Sequence, residues 1–306
     1  MKVLVTGGAG FIGSHIVEQF QGRAEVRVLD NLRSGFRRNL AGLHCEFIEG
    51  SILDRDCVRR AVCGVDYVFH LAAMISVPES MTKPVECNEL NTGATLILLE
   101  ESAMAGVKKF IFSRSAAIYG DNPVTPKIET MLPEPQSPYA ITKLDGEFYC
   151  KRFTDEGRLQ TACLRYFNVL GPRQDPASQY AAAVPIFIHR AIKHEPIIIH
   201  GDCGQTRDFI YVKDIAAANA FFATQSQATG VFNVAYGQRI TINELAATIC
   251  RLTGSRSEIR HSEPRAGDVK HSVASVDRLL AAGFNPQGSL AEGLKATVEF
   301  FRSSAG

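Results

Sequence analysis

The chain has 306 residues, 45% hydrophobic and 21% charged, enough apolar content to bury a sizeable core in one large or two modest domains. Its 33 Lys and Arg against 32 Asp and Glu leave a formal charge of +1, with the basic residues spread along the chain, which argues against a nucleic-acid partner. The eight cysteines (Cys45, Cys57, Cys63, Cys87, Cys150, Cys163, Cys203 and Cys250) form no C-x-x-C pair and sit mostly in apolar segments, as reduced, buried thiols do. The opening apolar run is too short for a signal peptide and no stretch reaches the roughly 18 apolar residues of a membrane span, so a cytoplasmic protein without membrane contact is expected.

Short runs rich in Val, Ile and Phe at 2–6, 26–29, 45–48, 67–70, 110–113 and 161–166 alternate with helical patterns at 11–21, 55–62, 89–105 and 138–153. The runs read as parallel strands and the helices as right-handed crossovers covering both faces, which predicts an α/β doubly wound sheet. Beyond Gly171-Pro172-Arg173 the alternation loosens. A helix at 184–194, a strand at 197–200 and a glycine-containing turn at 201–204 are followed by strands at 209–212 and 231–234 flanking an Ala-rich helix at 214–224, then by helices at 243–253 and 291–301. With no repeat and no linker, the second region is expected to cap the first, leaving a ligand cleft between them.

The first strand runs straight into Gly7-Gly8-Ala9-Gly10-Phe11-Ile12-Gly13 and then a helix, the context a dinucleotide fingerprint requires. Gly7 and Gly10 permit a tight turn and close approach to a pyrophosphate, Gly13 permits close packing of helix on sheet, and the helix start supplies amides and a positive dipole end. The next strand ends at Asp30, about 20 residues on, where a carboxylate can accept from a ribose and repel a 2′-phosphate, which favours NAD over NADP. Arg33 nearby pulls the other way, since a guanidinium can bind that phosphate.

Tyr139 and Lys143, four apart, share one face of the helix that Ser137-Pro138 begins. A lysine charge together with the bound nicotinamide cation is expected to bring the phenol down from its ordinary value near 10 toward the working range of a base. Ser113-Arg114-Ser115-Ala116-Ala117-Ile118-Tyr119-Gly120 follows an apolar strand at the sheet's carboxyl edge, where a hydroxyl can bond a substrate oxygen or simply cap the sheet. Strand alternation turns Arg114 away from the two serines. His189 and His194 lack a supporting ligand cluster, and no metal site is expected.

On these segments, together with Leu29 to Leu32, His70-Leu71-Ala72-Ala73, Arg165 to Val169, Gly201 to Tyr211 and Arg265 to Asp268, the chain resembles, end to end, the extended short-chain dehydrogenase/reductase family, and within it the UDP-hexose 4-epimerases. The resemblance implies a Rossmann domain at 1–168 plus 207–235 and a smaller nucleotide-sugar domain at 169–206 plus 236–306. It implies NAD as cofactor, a UDP-sugar as substrate and a homodimer paired through the helices at 89–105 and 139–153. By the same likeness Tyr139 takes the C4 hydroxyl proton, Lys143 holds the nicotinamide ribose, and Ser115 bonds the reacting oxygen. Asn31, Ser34, Gly35, Leu71, Ala73, Asn91, Ser113, Tyr166, His70 and Ala72 would line the cofactor, with Ser51 and Ile52 beside the adenine, Ser51 standing where the family usually has Asp. Asn168, Arg207 and Arg265, helped by Asp268, would grip the UDP moiety, which Ser76, Val184, Pro185, Phe187, Ile199 and Tyr211 would frame.

Two departures stand out, Ser51 and the bulky Arg114 where the family usually has a small residue. Ala116 and Ala117 replace the acidic residue that the family's dehydratases and decarboxylases carry after the serine, which disfavours elimination. Asn168 resembles the hexose enzymes more than the uronate epimerases. Ser272 occupies the position where a small side chain leaves room for an acetamido group, so UDP-N-acetylglucosamine is expected as substrate together with UDP-glucose. A uronate epimerase, a net oxidoreductase releasing NADH, and an idle NAD-binding regulator are the alternatives.

Overall fold

In chain order, β1 (Lys2–Thr6) is followed by α1 (Phe11–Gln19), β2 (Glu25–Asp30), β3 (Glu46–Glu49), α2 (Arg55–Val62) and β4 (Tyr67–His70). Then come α3 (Val77–Thr82), α4 (Pro84–Asn88), one π turn at Glu89–Gly93, α5 (Ala94–Met104), β5 (Lys109–Ser115), α6 (Pro138–Asp155) and β6 (Gln160–Tyr166). The rest supplies β7 (Val169–Leu170), α7 (Ala183–Ile192), β8 (Ile197–His200), β9 (Thr206–Arg207), β10 (Ile210–Tyr211), α8 (Val212–Thr224), β11 (Gly230–Val234), β12 (Ile240–Thr241), α9 (Ile242–Thr253), β13 (Ile259–Ser262), β14 (His271–Ser272), α10 (Asp277–Ala281) and α11 (Leu290–Ser304). The computed structural model describes residues 1–175, 182–201, 204–263 and 271–304.

Seven strands pair in parallel in the order β3-β2-β1-β4-β5-β6-β11, the doubly wound arrangement, with its switch point between β1 and β4. Burial on both faces explains why the strands read as continuous apolar runs: Val3, Leu4, Val5 and Phe110 to Phe112 have essentially no exposed surface. One core cluster gathers Ile16 and Val17 of α1 and Phe20 just after it with Phe69, Ile111 and Phe222. On the other face Val58, Leu98, Leu99 and Phe153 meet Phe110 and Phe112. A third cluster joins Val184, Phe187, Ile188, Ile197, Ile199, Leu245, Ile249, Leu294 and Val298 of the later elements.

Three expectations are corrected. The helix expected at 89–105 starts at Pro84, whose ring suits a first helical position, and is interrupted by the π turn. The strand expected at 209–212 is reduced to Ile210–Tyr211, which pairs with β7 outside the main sheet, and Val212 already opens α8 with Asp214 in its first turn. The first helix ends at Gln19 rather than 21, just ahead of Gly22 with φ of 71°. The seven described cysteines are free thiols, and Cys203 lies outside the described residues. Among the described residues no helix is long and apolar enough to cross a membrane.

Candidate active site

At the switch point the carboxyl ends of β1 and β4 open into a cavity of about 570 Å³. Gly7 leaves β1 with φ of 71°, and a Cβ on it would lie 2.7 Å from the Ala72 amide nitrogen. A Cβ on Gly13 would lie 2.1 Å from the Gly7 carbonyl oxygen. Both positions therefore require glycine. The turn is held by Gly7 N–H donating to Leu29 O (2.9 Å) and Gly10 N–H to Gly7 O (3.1 Å). Gly10 is the N-cap of α1 and brings no side chain to its first amides, which suits them to an anionic group.

Asp30 closes β2 with one oxygen accepting from the Ala9 amide (2.9 Å) and the other from the Leu32 amide (2.8 Å). Burial raises its pKa and those two amides draw it back down. Arg33 is forked onto Glu86 (2.6 Å) and Glu79 (2.7 Å), so its guanidinium is occupied by carboxylates instead of standing open to a 2′-phosphate. Gly7, Gly10, Phe11, Ile12, Gly13, Asp30, Asn31, Ser34, Gly35, Ile52, Leu71, Ala72, Ala73, Ser113, Tyr139, Lys143 and Tyr166 all line the cavity. A cradle closed to any Cβ, an uncapped helix start and a carboxylate at the next strand end fit a dinucleotide with a free 2′-hydroxyl.

Ser51 and Asn91 do not reach that wall. Ser51 Oγ accepts from the Leu53 amide (3.1 Å) in a local turn, and Asn91, carried inward by the π turn, bonds both backbone groups of Met74 (2.8 and 3.1 Å) and donates to Thr142 Oγ1 (3.1 Å). His70 also stands behind it, between Thr6 Oγ1 (2.8 Å) and Thr95 Oγ1 (3.0 Å), and burial with the Lys143 and Arg114 charges lowers it to about 3, keeping it neutral. Conversely Asn39, which no motif marked, reaches the wall and donates to Ala9 O (2.8 Å), bracing the glycine turn. Arg114, Arg173, Gln174 and Asp175 also line it.

The start of α6 is set by Ser137 Oγ accepting from the Ala140 amide (3.2 Å), with Pro138 at the first position. That places Tyr139 and Lys143 on the cavity wall; Ser115 at the end of β5 is not part of that wall, but its hydroxyl draws the Tyr139 phenol down. Lys143 Nζ lies 5.8 Å from the centre of the Tyr139 ring. Lys143 is not among the charges that lower the phenol here. Burial raises Tyr139 against the opposing pull of Ser115 and Arg114, and burial, then the Arg114 charge, lowers Lys143 to about 7. Desolvation disfavours both charged forms here. Behind Ser115, Ser113 Oγ and Tyr166 Oη are 2.9 Å apart and Asn219 Nδ2 donates to Tyr166 Oη (2.7 Å). Burial pushes Tyr166 up to about 12.

On the far side, Asn168 Nδ2 donates to Asp208 O (2.9 Å), and β9 and β14 put Arg207 beside Ser272, whose carbonyl accepts from the Asp208 amide (2.8 Å). These three residues come together. Ser76 instead caps α3, accepting from the Glu79 amide (3.0 Å), and Val184, Phe187 and Ile199 are packed into the third core cluster, away from the cavity wall that Pro185 reaches. Tyr211 is likewise buried. Arg265 and Asp268 lie outside the described residues. Arg173 reaches from the loop after β7 to Ser14 Oγ (3.3 Å) and Glu18 (2.9 Å), tying the later region to α1.

A crevice of this shape makes the chain an NAD-dependent enzyme, with Tyr139 at the carboxyl edge of a doubly wound sheet. Residues 3–235 match the model of the NAD dependent epimerase/dehydratase family, and the chain belongs to that family. It is 42% identical to a UDP-N-acetylglucosamine 4-epimerase from Methanobrevibacter ruminantium M1 solved with UDP-N-acetylmuramic acid, with a TM-score of 0.96 over 99% of this chain and 98% of that one. A UDP-glucose 4-epimerase from Thermotoga maritima with UDP-glucose is also 42% identical, with a TM-score of 0.95 over the whole of both chains. One from Thermus thermophilus with NAD is 38% identical, with a TM-score of 0.90 over 99% of this chain and 100% of that one. Within the family the chain thus groups with the UDP-sugar 4-epimerases.

Proposed function

We propose that the chain inverts C4 of UDP-sugars through a transient 4-keto sugar, acting on UDP-N-acetylglucosamine and UDP-glucose. The carrying observation is that Tyr139 and Lys143 both stand on the wall of the cavity that the glycine turn shapes. Bound NAD supplies the acceptor, then the donor, of the C4 hydride. Tyr139 as phenolate accepts the C4 hydroxyl proton and returns it after the ketose has turned over; Ser115 bonds the C4 oxygen and fixes its approach; Lys143 orients the nicotinamide ribose. Arg207 and Asn168 hold the diphosphate and uridine, a planar fork of donors matching the phosphate oxygens. The turn after Ser115 carries Ala116 and Ala117, with no carboxylate to drive elimination.

The division into 1–168 plus 207–235 and 169–206 plus 236–306 is our reading of two bodies, supported by the third core cluster and by pairing of β11 with β6. Ser272 beside Arg207 favours the acetamido sugar. The test follows C4 inversion of each sugar by proton NMR without added nicotinamide. Inversion of both with no free NADH is expected, and Ser272→Tyr should lower turnover of the acetamido sugar at least about tenfold while sparing UDP-glucose, because the ring would fill the room the acetamido group needs and even one methylene of misfit is worth that much. Accumulating NADH would show a net oxidoreductase, and loss of glucose turnover alone in Ser272→Tyr would overturn the substrate assignment.

A further inference from the structure

The far side of the crevice is built from short pieces of chain. Arg207 ends β9 and Ser272 ends β14, two-residue strands that pair with each other, and Asn168 precedes the equally short β7. Strands of that length contribute too few ladder bonds to hold a side chain in place by themselves. Asp208 stands where the three meet. It follows Arg207 directly in the chain, its amide donates to Ser272 O (2.8 Å), and its carbonyl accepts from Asn168 Nδ2 (2.9 Å). It has no exposed surface and takes no part in the cavity wall, so whatever it does for a ligand it does through these neighbours.

The carboxylate fastens this junction to the main sheet. Oδ1 accepts from the Tyr236 amide and Oδ2 from the Ala274 amide, both at 3.2 Å. Tyr236 lies two residues beyond β11, the edge strand of the seven-stranded sheet, and its phenol donates to Asp214 Oδ2 (2.5 Å) in the first turn of α8. Ala274 is bracketed by Lys127, whose amide donates to Val273 O (2.7 Å) and whose carbonyl accepts from the Ser275 amide (2.8 Å) and from Asn233 Nδ2 of β11 (2.9 Å). Both anchors therefore trace back to β11. Bonds to an ionised acceptor are stronger than neutral ones, and two amides meeting one carboxylate on different oxygens fix its plane. Burial pushes the carboxyl up to about 7 against the pull of those amides, so both bonds are at full strength only above that value.

We propose that Asp208 is a positioning residue that fixes Asn168, Arg207 and Ser272 as one clamp on the nucleoside diphosphate of the substrate. This rests on those three residues holding the UDP-sugar. Asp208→Asn keeps the size but turns an NH2 toward one of the two amides, donor against donor, so one anchor is lost. The probe is UDP, titrated calorimetrically into the NAD-loaded protein at about pH 9, where the parent carboxyl is ionised. Asp208→Asn is expected to weaken UDP roughly tenfold and to raise KM for UDP-glucose by a similar factor, with kcat within about twofold of the parent. The NAD content should be unchanged, since the glycine turn stands on the other wall. In an Arg207→Met background the same substitution should cost less than it does alone, because one of the donors it places is gone.

UDP bound as tightly by Asp208→Asn as by the parent overturns the proposal, and so does a fall in kcat with KM unchanged. A loss that adds in full to that of Arg207→Met also overturns it, since the two residues would then act independently. Should Asp208→Asn fail to fold, Asp208→Ser, whose shorter hydroxyl sets no NH2 against the amides, carries the same expected weakening. If the parent binds UDP but inverts neither sugar, the C4 reaction falls, while the titration still decides whether Asp208 holds the clamp. A parent that binds no UDP overturns the clamp itself.

Discussion

Lys143 is held where its charge is costly. Between pH about 7 and the ordinary lysine value of 10.5 it binds fewer protons folded than unfolded, so stability climbs with pH through that window and the penalty is fully in force below it. Lys143→Met, which keeps the stem's packing and drops the charge, should stabilise the protein at pH 6 by on the order of 2–4 kcal/mol, with the gap closing toward pH 10. Denaturant melts of both proteins at the two pH values check this, and a gap that widens with pH would refute it. The residues that carried the site reading in the sequence, the three glycines, Asp30, Tyr139 and Lys143, were legible because their spacing is local and the backbone imposes it. The state of Lys143 was not, since it depends on burial and on Arg114, which belongs to another element.

Elements with a strong apolar run were legible almost to the residue: β1, β4 and β8 coincide with the runs at 2–6, 67–70 and 197–200, and α2 with 55–62. The π turn was not, because adding one residue to a helical turn changes no residue type. Its effect is nonetheless specific. By inserting Asn91 between Met74 and Thr142 it ties α4 and α5 to the loop that follows β4, the loop whose Ala72 packs against Gly7. Asn91→Ala would leave the Met74 N–H and carbonyl unpaired in the interior and should cost about 2–4 kcal/mol. It should also loosen the cofactor, read as a lower NAD content after extensive dialysis. A variant as stable as the parent, with full NAD content, would show that the loop holds itself.

At the scale of the whole molecule, the sheet and its switch point were readable from the alternation of runs, but the short pairings β7 with β10 and β9 with β14 were not, since two-residue strands carry no periodicity. The assembly is our further reading of the surface. Helix α6 turns Tyr139 and Lys143 to the cavity and Ile141, Phe148 and Tyr149 outward, with 47%, 62% and 37% of their surfaces exposed, and α4 beside it exposes 71% of Val85. Single exposed apolar residues are ordinary, but three along one helical face form a stripe that water does not explain. A second copy laid against α6 would cover it, giving a twofold pair in which the same stripe meets itself. Phe148→Glu would place like charges directly across that axis and should turn a dimer into a monomer in sedimentation velocity. The NAD content should be unchanged, since the cofactor cavity lies on the opposite face of the helix. A parent that sediments as a monomer, or a variant that still sediments as a dimer, would move the interface elsewhere and leave the stripe without an occupant.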